Sequence, residues 1–365
     1  MSSLWSMSPT VSTAMAQERN HFTVIRLLLA LAVVVSHAVS VTSGNVADEP
    51  LAASTGFTLG EHAVNGFFAI SGFLVTMSFD RRGWRDYLIA RTLRIAPGLI
   101  VAALAVALLL GAAVTSLPMR DYFGSAGLWR FISATLTSFK SNIALPGVFA
   151  DNPLQFPMGT VWTLKYEVLC YVGVFVLGLM TLLRSRIAAA LLVIGLFAAL
   201  VALDHLRPDA PKGIETALRL PLIFAIGGAL YVWRDTMRLC GPLVLALAVI
   251  TWSAHGTALY KALLFTSSAY GILWLAMTPD LARFSWEPKA DLSYGTYLYG
   301  WPIQQALHAL FPTAAALVLL GPSLVITLAV AAVSWFAVEK PALGLKARAL
   351  NRRPLRGRLE TQSSS

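Results

Sequence analysis

Charged residues are scarce in this sequence of 365 residues, in which Asp, Glu, Lys and Arg make up only 13%. Soluble domains carry about a quarter charged residues, so the composition argues against a water-soluble protein. Cysteine is scarcer still, since only Cys170 and Cys240 are present, and both lie in or beside apolar segments. Cysteines placed in this way indicate neither a disulfide framework nor a thiolate metal site. We therefore expect no bound metal.

Hydrophobic residues, in contrast, make up 57% of the sequence, and its mean hydropathy is +0.68. Apolar runs of about 20 residues, long enough to cross a bilayer as helices, recur along the whole chain. Because no water is present in the bilayer core, backbone groups there must be hydrogen-bonded within helices. The sequence therefore predicts an all-α, polytopic membrane protein with about ten transmembrane helices in one bundle. The predicted spans are 22–42, 61–79, 88–113, 162–183, 187–204, 218–233, 239–254, 257–277, 292–312 and 315–338.

The chain divides into three predicted regions, and none of them is a separate soluble domain. Residues 1–21 form a polar cytoplasmic tail, residues 22–342 form the membrane domain, and residues 343–365 form a basic cytoplasmic tail. The segment 114–161 contains four prolines. We expect it to be an extended outer loop with a short amphipathic helix near 128–139.

The formal net charge of +10 is a topology signal rather than a sign of nucleic-acid binding, so we expect no nucleic-acid partner. The basic residues fall in alternate loops, which places them on one side of the membrane if there are ten spans. These residues are Arg81, Arg82, Arg85, Arg184, Arg186, Arg234, Arg238, Arg283 and Lys289, followed by the basic tail. Loop residues 43–60 carry Asp48 and Glu49 but no Lys or Arg. The positive-inside rule then predicts that both termini are cytoplasmic.

Arg26 and His37 both lie within the first predicted span. A charged side chain there costs on the order of 3 kcal/mol, so such residues often mark function. Their separation is about three helical turns, which puts them on one face about 16 Å apart along the axis. Each also has an ordinary interpretation: Arg26 as an arginine that extends its charge to the cytoplasmic interface, and His37 as a packing histidine with a hydrogen-bonded neighbour.

Two more arginines, Arg91 and Arg94, lie at the start of the third span with the i, i+3 spacing that shares one helix face. Guanidinium groups placed there are suited to binding phosphates from the cytoplasmic side. The alternative is that they are only part of the positive-inside signal.

Glu167 is predicted to lie about one turn into the fourth span, near the outer face and at a depth similar to that of His37. A carboxylate beside the imidazole would hold one tautomer and raise its basicity, as in a general base. Trp162 and Glu167 are equally compatible with simple interfacial positions. In span nine, Tyr294, Tyr297 and Trp301 share a face that either lines a cavity or forms a packing stripe.

Together these segments resemble the acyltransferase 3 family of membrane-bound O-acyltransferases over residues 20–342. The matching positions are Arg26 and His37 (R-x10-H); Phe67, Phe68, Ser71, Gly72 and Phe73 (F-F-x-x-S-G-F); Arg91, Arg94, Ile95 and Pro97 (R-x-x-R-I-x-P); Trp162, Leu164 and Glu167 (W-x-L-x-x-E); Ser293, Tyr294, Tyr297 and Leu298 (S-Y-x-x-Y-L); and Glu339 and Pro341 (E-x-P). The chain departs from the family at Gly300, where many members have histidine, and at Asn65, where many have an acidic residue. It resembles the type without a fused esterase-like domain, which acts alone or passes the acyl group to a partner acyltransferase protein.

The resemblance implies a bacterial inner-membrane enzyme that moves an acyl group, most often acetyl, from acyl-CoA to a hydroxyl of a saccharide or glycolipid, as in surface polysaccharide biosynthesis. In this scheme Arg26, Arg91 and Arg94 bind the donor acetyl-CoA. His37 is the catalytic base or a covalent relay, and Glu167 orients it. Trp162, Tyr294 and Tyr297 are the expected acceptor-binding residues, and either tyrosine is a candidate oxyanion donor.

Two alternatives stay open at this point. One is a proton-coupled transporter or flippase of a glycan-type substrate, because embedded Arg, His and Glu also suit carriers. The other keeps the acyl-transfer chemistry but changes the acceptor to a lipid or another small molecule.

Overall fold

The computed structural model describes residues 8–16, 20–278 and 288–351, with side chains up to Leu345 in the last helix. Regular structure within these ranges is helical, apart from one isolated bridge between Thr10 and Arg238, which confirms the all-α prediction. Arg283 and the basic side chains of the C-terminal tail lie outside the described residues. The division into three regions stays a prediction.

Ten helices coincide with the predicted spans. They are α1 (Phe22–Ser43), α2 (Leu59–Arg82), α3 (Trp84–Val114), α4 (Trp162–Leu179), α5 (Arg186–Leu206), α6 (Lys212–Val232), α7 (Gly241–Ser253), α8 (Tyr260–Met277), α9 (Ser293–Leu310) and α10 (Ala316–Ser334). A π-helical turn, Trp335–Glu339, continues α10 into the helix Lys340–Asn351.

In the described part of the chain, seven helices are long and apolar enough to cross a membrane: α1 to α6, and α10 with its continuation. The helix α7 is apolar but has only 13 residues. The chain is therefore a polytopic helical membrane protein, while the count of ten membrane crossings stays a prediction.

The turn between α1 and α2 is fixed at both ends by local sequence. The helix α1 ends at Gly44, whose φ of 77° is accessible to glycine without strain. The helix α2 begins with a capping box in which Thr58 and Glu61 satisfy each other's free backbone N–H groups. The loop 45–57 is thereby held between two well-defined helix ends.

Close packing of α2 on α6 depends on two glycines. A Cβ atom at Gly72 would lie 2.0 Å from the carbonyl oxygen of Phe224, and one at Gly227 would lie 2.2 Å from that of Ala69. Gly72 and Gly227 therefore have the packing role that small residues commonly serve between membrane helices.

Arg184, Arg186 and Arg234 lie together at one end of the bundle, which we call the basic end. At the basic end, Arg184 binds Asp80 at the end of α2, with Nε 2.6 Å from Oδ1. At the opposite end, the hydroxyl of Tyr260 donates to the carbonyl of Thr55. The loop 44–58 and the start of α8 therefore meet at the end of the bundle away from Arg184.

The proline-containing segment before α4 runs along α9 into the bundle. Gln305 donates to the carbonyl of Leu154, the Trp301 indole donates to that of Phe156 at 2.8 Å, and the Thr160 hydroxyl donates to the Tyr297 carbonyl at 3.0 Å. Tyr297 and Gln305 are eight positions apart, which corresponds to about 12 Å of helix. The helix α4 thus starts well inside the bundle. The short helix predicted near 128–139 is present at Ala126–Ser138.

Candidate active site

Arg26 and Arg94 converge on one carboxylate just before α9. The Nη1 atom of Arg26 lies 2.8 Å from Oδ2 of Asp291, and the Nη2 atom of Arg94 lies 2.9 Å from the same oxygen. The other oxygen of Asp291 accepts a hydrogen bond from the Ser293 hydroxyl. We call Arg26, Arg94 and Asp291 the arginine–aspartate cluster.

Arg91 shares a helix with Arg94 but does not join this cluster. Its guanidinium carbon lies 5.5 Å from the ring centre of Tyr171, a cation–π contact, and its Nε atom is buried without a hydrogen-bond partner. The two arginines that the sequence groups together therefore have different surroundings.

Five predicted site residues border one central cavity of about 50 Å³. These five are Arg26, Arg94, Glu167, Tyr294 and Tyr297, and the hydroxyl residues Ser71, Thr163 and Ser293 complete its polar lining. A space of this size holds a few water molecules at most. His37, Arg91 and Trp162 do not border it. Trp162 is half-buried and packs edge-on against Tyr166, with ring centres 6.1 Å apart.

Glu167 lies at the level of the arginine–aspartate cluster and not at that of His37. Its carboxylate accepts hydrogen bonds from the Tyr171 hydroxyl and, at 3.4 Å, from the Ser71 hydroxyl. The expected contact between Glu167 and His37 is absent from the described structure, so this part of the prediction was wrong. The reason is that the segment before α4 runs along α9 into the bundle, so that α4 begins deep inside it. Glu167, in the second turn of α4, therefore lies near Arg26 and Arg94.

His37 has a different carboxylate partner, Glu49 from the loop after α1. The Nδ1 atom of His37 lies 3.0 Å from Oε1 of Glu49, whose side chain is only 1% exposed. The other imidazole nitrogen, Nε2, has no hydrogen-bond partner among the described residues. A carboxylate on Nδ1 selects the tautomer that keeps Nε2 free to accept a proton.

Glu49 is itself held by the turn around it. Its second oxygen accepts the Ser36 hydroxyl at 2.5 Å, and the Ser36 oxygen accepts the backbone N–H of Gly60 at 2.8 Å. Burial raises the pKa of Glu49, but the hydrogen bonds and charge from His37, together with bonds from Ser36 and Ser40, outweigh it and lower the pKa below its ordinary value. Glu49 is thereby kept as the anion that an imidazole partner requires.

Sequence reasoning missed Glu49. In the sequence, Glu49 contributes only to the charge of the loop, which bears on the membrane topology. Its separation of 12 residues from His37 follows no helical period. The only available signal was that this loop carries acidic residues beside a helix that ends in an embedded histidine.

Aromatic residues of α9 separate the two polar sites. The ring of Trp301 meets that of His37 edge-on at 5.0 Å and stacks on Phe156 at 5.2 Å. One turn nearer the basic end, the Tyr297 hydroxyl donates to the Thr160 carbonyl at 2.8 Å and lies 2.6 Å from the Thr163 hydroxyl. The Tyr294 hydroxyl donates to the carbonyl of Ile95 at 2.9 Å. Both tyrosine hydroxyls are therefore engaged by the protein in this conformation.

The embedded arginines at the central cavity lie close to carboxylates. Arg26 is near Asp291 and Glu167, and Arg94 is near the same two carboxylates and Glu339. Glu339 accepts the Ser334 hydroxyl at 3.0 Å. Pairing of this kind reduces the cost of burying the charges and leaves little net positive charge at the cavity. Within the described residues, no group of three or more His, Cys, Asp or Glu side chains is placed to hold a metal ion.

A family model described as an acyltransferase domain, that of the acyltransferase 3 family, matches residues 20–337. The chain belongs to the acyltransferase 3 family. It is 28% identical over 359 residues to "Nodulation protein 10" of Rhizobium leguminosarum bv. viciae, covering 92% of this chain and 96% of that protein. It is 25% identical over 338 residues to the "O-acetyl transferase" of Shigella phage Sf6, covering 88% and 95%. No solved structure was found to match the chain.

Membership in the acyltransferase 3 family confirms the resemblance and makes this chain a membrane O-acyltransferase rather than a transporter. The structure also gives a reason for one departure from the family pattern. A Cβ atom at Gly300 would lie 2.7 Å from a methyl group of Val34. A histidine at this position would therefore require the Val34 side chain or the two helices to shift.

Proposed function

We propose that this acyltransferase moves an acetyl group from acetyl-CoA to a hydroxyl of a saccharide or glycolipid at the bacterial inner membrane, with the basic end in the cytoplasm. The observation that carries the proposal is the pairing of His37 with the buried carboxylate of Glu49, which leaves Nε2 available as a base. Acyl transfer to an alcohol needs such a base, because a hydroxyl is a weak nucleophile while it keeps its proton.

In the proposed step, His37 Nε2 takes the proton of the acceptor hydroxyl as its oxygen attacks the thioester carbonyl carbon. A C–O bond forms and the C–S bond breaks, so that CoA leaves as a thiolate and recovers the proton from the imidazolium. Glu49 stabilises the positive charge on the imidazolium while it exists. Because Glu49 holds His37, we assign Glu167 instead to the arginine–aspartate cluster, where its carboxylate helps to balance the charge.

The donor is proposed to reach His37 from the basic end. Arg26 and His37 share one helix and lie about 16 Å apart along it, a distance that the pantetheine arm of CoA would span. Arg26 and Arg94 are already bound to Asp291, so a phosphate must compete with that carboxylate for them. Donor binding at these arginines therefore requires at least one of them to leave Asp291.

The acceptor is proposed to approach from the opposite end. A cavity of about 760 Å³ lies there, and Ser54 and Thr55 from the loop that carries Glu49 form part of its wall. Its lining also includes Lys261, which forms ion pairs with Asp204 at 2.5 Å and Glu215 at 3.3 Å. Paired charges and hydroxyls of this kind suit a polyhydroxylated ligand, because they offer both donors and acceptors.

The proposal is tested by incubating detergent-solubilised protein with acetyl-CoA labelled in the acetyl group and with a membrane extract that contains glycolipids. Label is expected in the glycan fraction, and mass spectrometry of the product is expected to show an added acetyl mass on a sugar hydroxyl. Label that stays in acetyl-CoA, or that appears only in other lipid or small-molecule fractions, would refute the saccharide assignment.

A further inference from the structure

A second charged cavity lies at the basic end, away from the arginines of the central cavity. It has a volume of about 370 Å³, and its charged lining consists of Arg184, Arg186, Arg234, Asp80 and Asp235. Three guanidinium groups against two carboxylates give it a net positive charge. We call it the arginine cavity.

Two of its arginines are held by contacts other than ion pairs, and one of them, Arg234, donates to the carbonyl of Tyr231 at 3.1 Å and lies near the charge of Asp80. Arg184 is paired with Asp80, but neither Arg186 nor Arg234 forms an ion pair within the part of the chain that the structure describes. The guanidinium carbon of Arg186 lies 5.5 Å from the ring centre of Trp233, and that of Arg234 lies 4.5 Å from the ring centre of Tyr231. A cation–π contact restrains each guanidinium and leaves N–H groups available for an anion.

The arginine cavity adjoins an apolar cleft of about 290 Å³ between α4, α5 and α6, and Leu183 and Val232 border both spaces. Along α6 the cleft extends from Val232 to Pro221, which is about 16 Å of helix. Small residues line much of it: Gly173, Ala188, Ala189, Ala225, Gly228 and Ala229. A Cβ atom built on Gly173 would meet no atom within 4 Å, so the cleft is open at that point.

We propose that the arginine cavity and the apolar cleft together bind one anionic phospholipid of the cytoplasmic leaflet, with its phosphate on Arg186 and Arg234 and one acyl chain along Gly173. Basic pockets between membrane helices on the cytoplasmic side are suited to anionic lipid headgroups. The positive-inside rule explains why arginines lie at this end of the bundle. It explains neither why Arg186 and Arg234 contact aromatic rings without forming ion pairs nor why an apolar cleft adjoins them. The position at the cytoplasmic face follows from the proposed topology, while the binding itself does not depend on the acyltransferase activity.

The test uses the full-length protein, purified and delipidated in an uncharged detergent. Its thermal midpoint is measured with and without added phosphatidylglycerol or phosphatidylcholine, and lipid retained by the protein is measured by native mass spectrometry. Phosphatidylglycerol is expected to raise the midpoint and to remain bound, whereas phosphatidylcholine should do neither.

Two pairs of variants separate the headgroup from the chain. The double variant Arg186→Gln with Arg234→Gln should lose the phosphatidylglycerol shift, while the matched double variant Arg120→Gln with Arg130→Gln, at exposed positions in the loop after α3, should keep it. Gly173→Leu fills the cleft and should also lose the shift. Gly195→Leu, at another helical glycine with no atom within 4 Å of a built Cβ, should keep it.

Because each shift is measured against the same variant without lipid, a general loss of stability does not mimic the result. Equal shifts with the two lipids, or a full shift in either the arginine double variant or Gly173→Leu, would overturn the proposal. Protection by inorganic phosphate or CoA that is unaffected by Gly173→Leu would overturn the lipid assignment in favour of a simple anion site.

Discussion

The Nδ1 atom of His37 lies 3.0 Å from a carboxylate oxygen of Glu49, which belongs to a loop and is almost completely buried. The pair is positioned by Ser36 and by the backbone of Gly60 rather than by another membrane helix. A histidine near the end of a membrane helix thus gains its acidic partner from the turn that follows. In the proposed mechanism this contact defines the tautomer of the catalytic base, and the predictions for Glu49 below depend on it.

Substitution of Glu49 by Gln should lower kcat by about 100-fold or more, because the amide no longer selects the tautomer or stabilises the imidazolium. The KM for acetyl-CoA should change little, since Glu49 lies away from the proposed donor-binding arginines. Asp48→Asn is the matched control, because Asp48 is the neighbouring acid and is exposed. A kcat of Glu49→Gln equal to that of the control would contradict the role of Glu49 in positioning His37. A change confined to the KM for acetyl-CoA would contradict it as well.

The lowered pKa of Glu49 also predicts how stability depends on pH. A carboxyl whose pKa is lower in the folded state stabilises the fold at pH values above its ordinary pKa of 4.5, and this contribution is lost as the pH falls through the folded value. The difference in thermal midpoint between the wild type and Glu49→Gln should therefore shrink as the pH falls below about 4.5. A difference in thermal midpoint that grows on acidification would show that folding does not lower the pKa of Glu49.

The two arginines of the third helix should differ in their contribution to donor binding. Arg94 borders the central cavity and Arg91 does not, so we expect Arg94→Ala to raise the KM for acetyl-CoA by about tenfold, or 1.4 kcal/mol. Arg91→Ala should change it by less than about threefold. Acceptor KM, measured in the same assays, should stay unchanged in both variants. Equal increases in the KM for acetyl-CoA would show that a position beside the central cavity does not determine which arginine binds the donor.

Gly159 should tolerate no side chain, because a Cβ atom there would lie 2.4 Å from the indole ring of Trp301. We expect Gly159→Ala to reduce stability by about 1–3 kcal/mol and to reduce activity, since Trp301 packs against His37. Gly124→Ala is the control, because nothing lies within 4 Å of a Cβ atom built there. Denaturation midpoints in detergent compare the two. Equal midpoints would show that the segment before α4 can move away from α9.

Part of the central cavity was predictable from the sequence. Arg26, Arg94, Tyr294 and Tyr297 lie on three different helices, and the structure brings them to one cavity. Embedded polar residues are costly when they face lipid, so they turn inward and meet each other. The same cost explains why Asp291 joins them.

The depth of Glu167 and the partner of His37 were not predictable in the same way. Counting residues from the start of α4 assumes that the helix begins at the membrane surface. The preceding segment instead descends along α9, and its carbonyls at Thr160 and Phe156 accept hydrogen bonds from the side chains of Tyr297 and Trp301. Non-helical backbone at this depth is tolerated only where protein side chains satisfy it, and no local sequence period signals that. Glu49 was missed because the folding of a loop onto His37 is a tertiary event.

The most direct test of the catalytic account is the rate of transfer of labelled acetyl from acetyl-CoA to a glycolipid acceptor, measured for the wild type and for His37→Ala. The matched control is His308→Ala, which removes a buried histidine of α9 outside both polar sites. With equal amounts of folded protein, His37→Ala is expected to be slower by at least about 100-fold, while the control keeps a rate close to that of the wild type. A His37→Ala protein that transfers acetyl as fast as the control would contradict the assignment of His37 as the base.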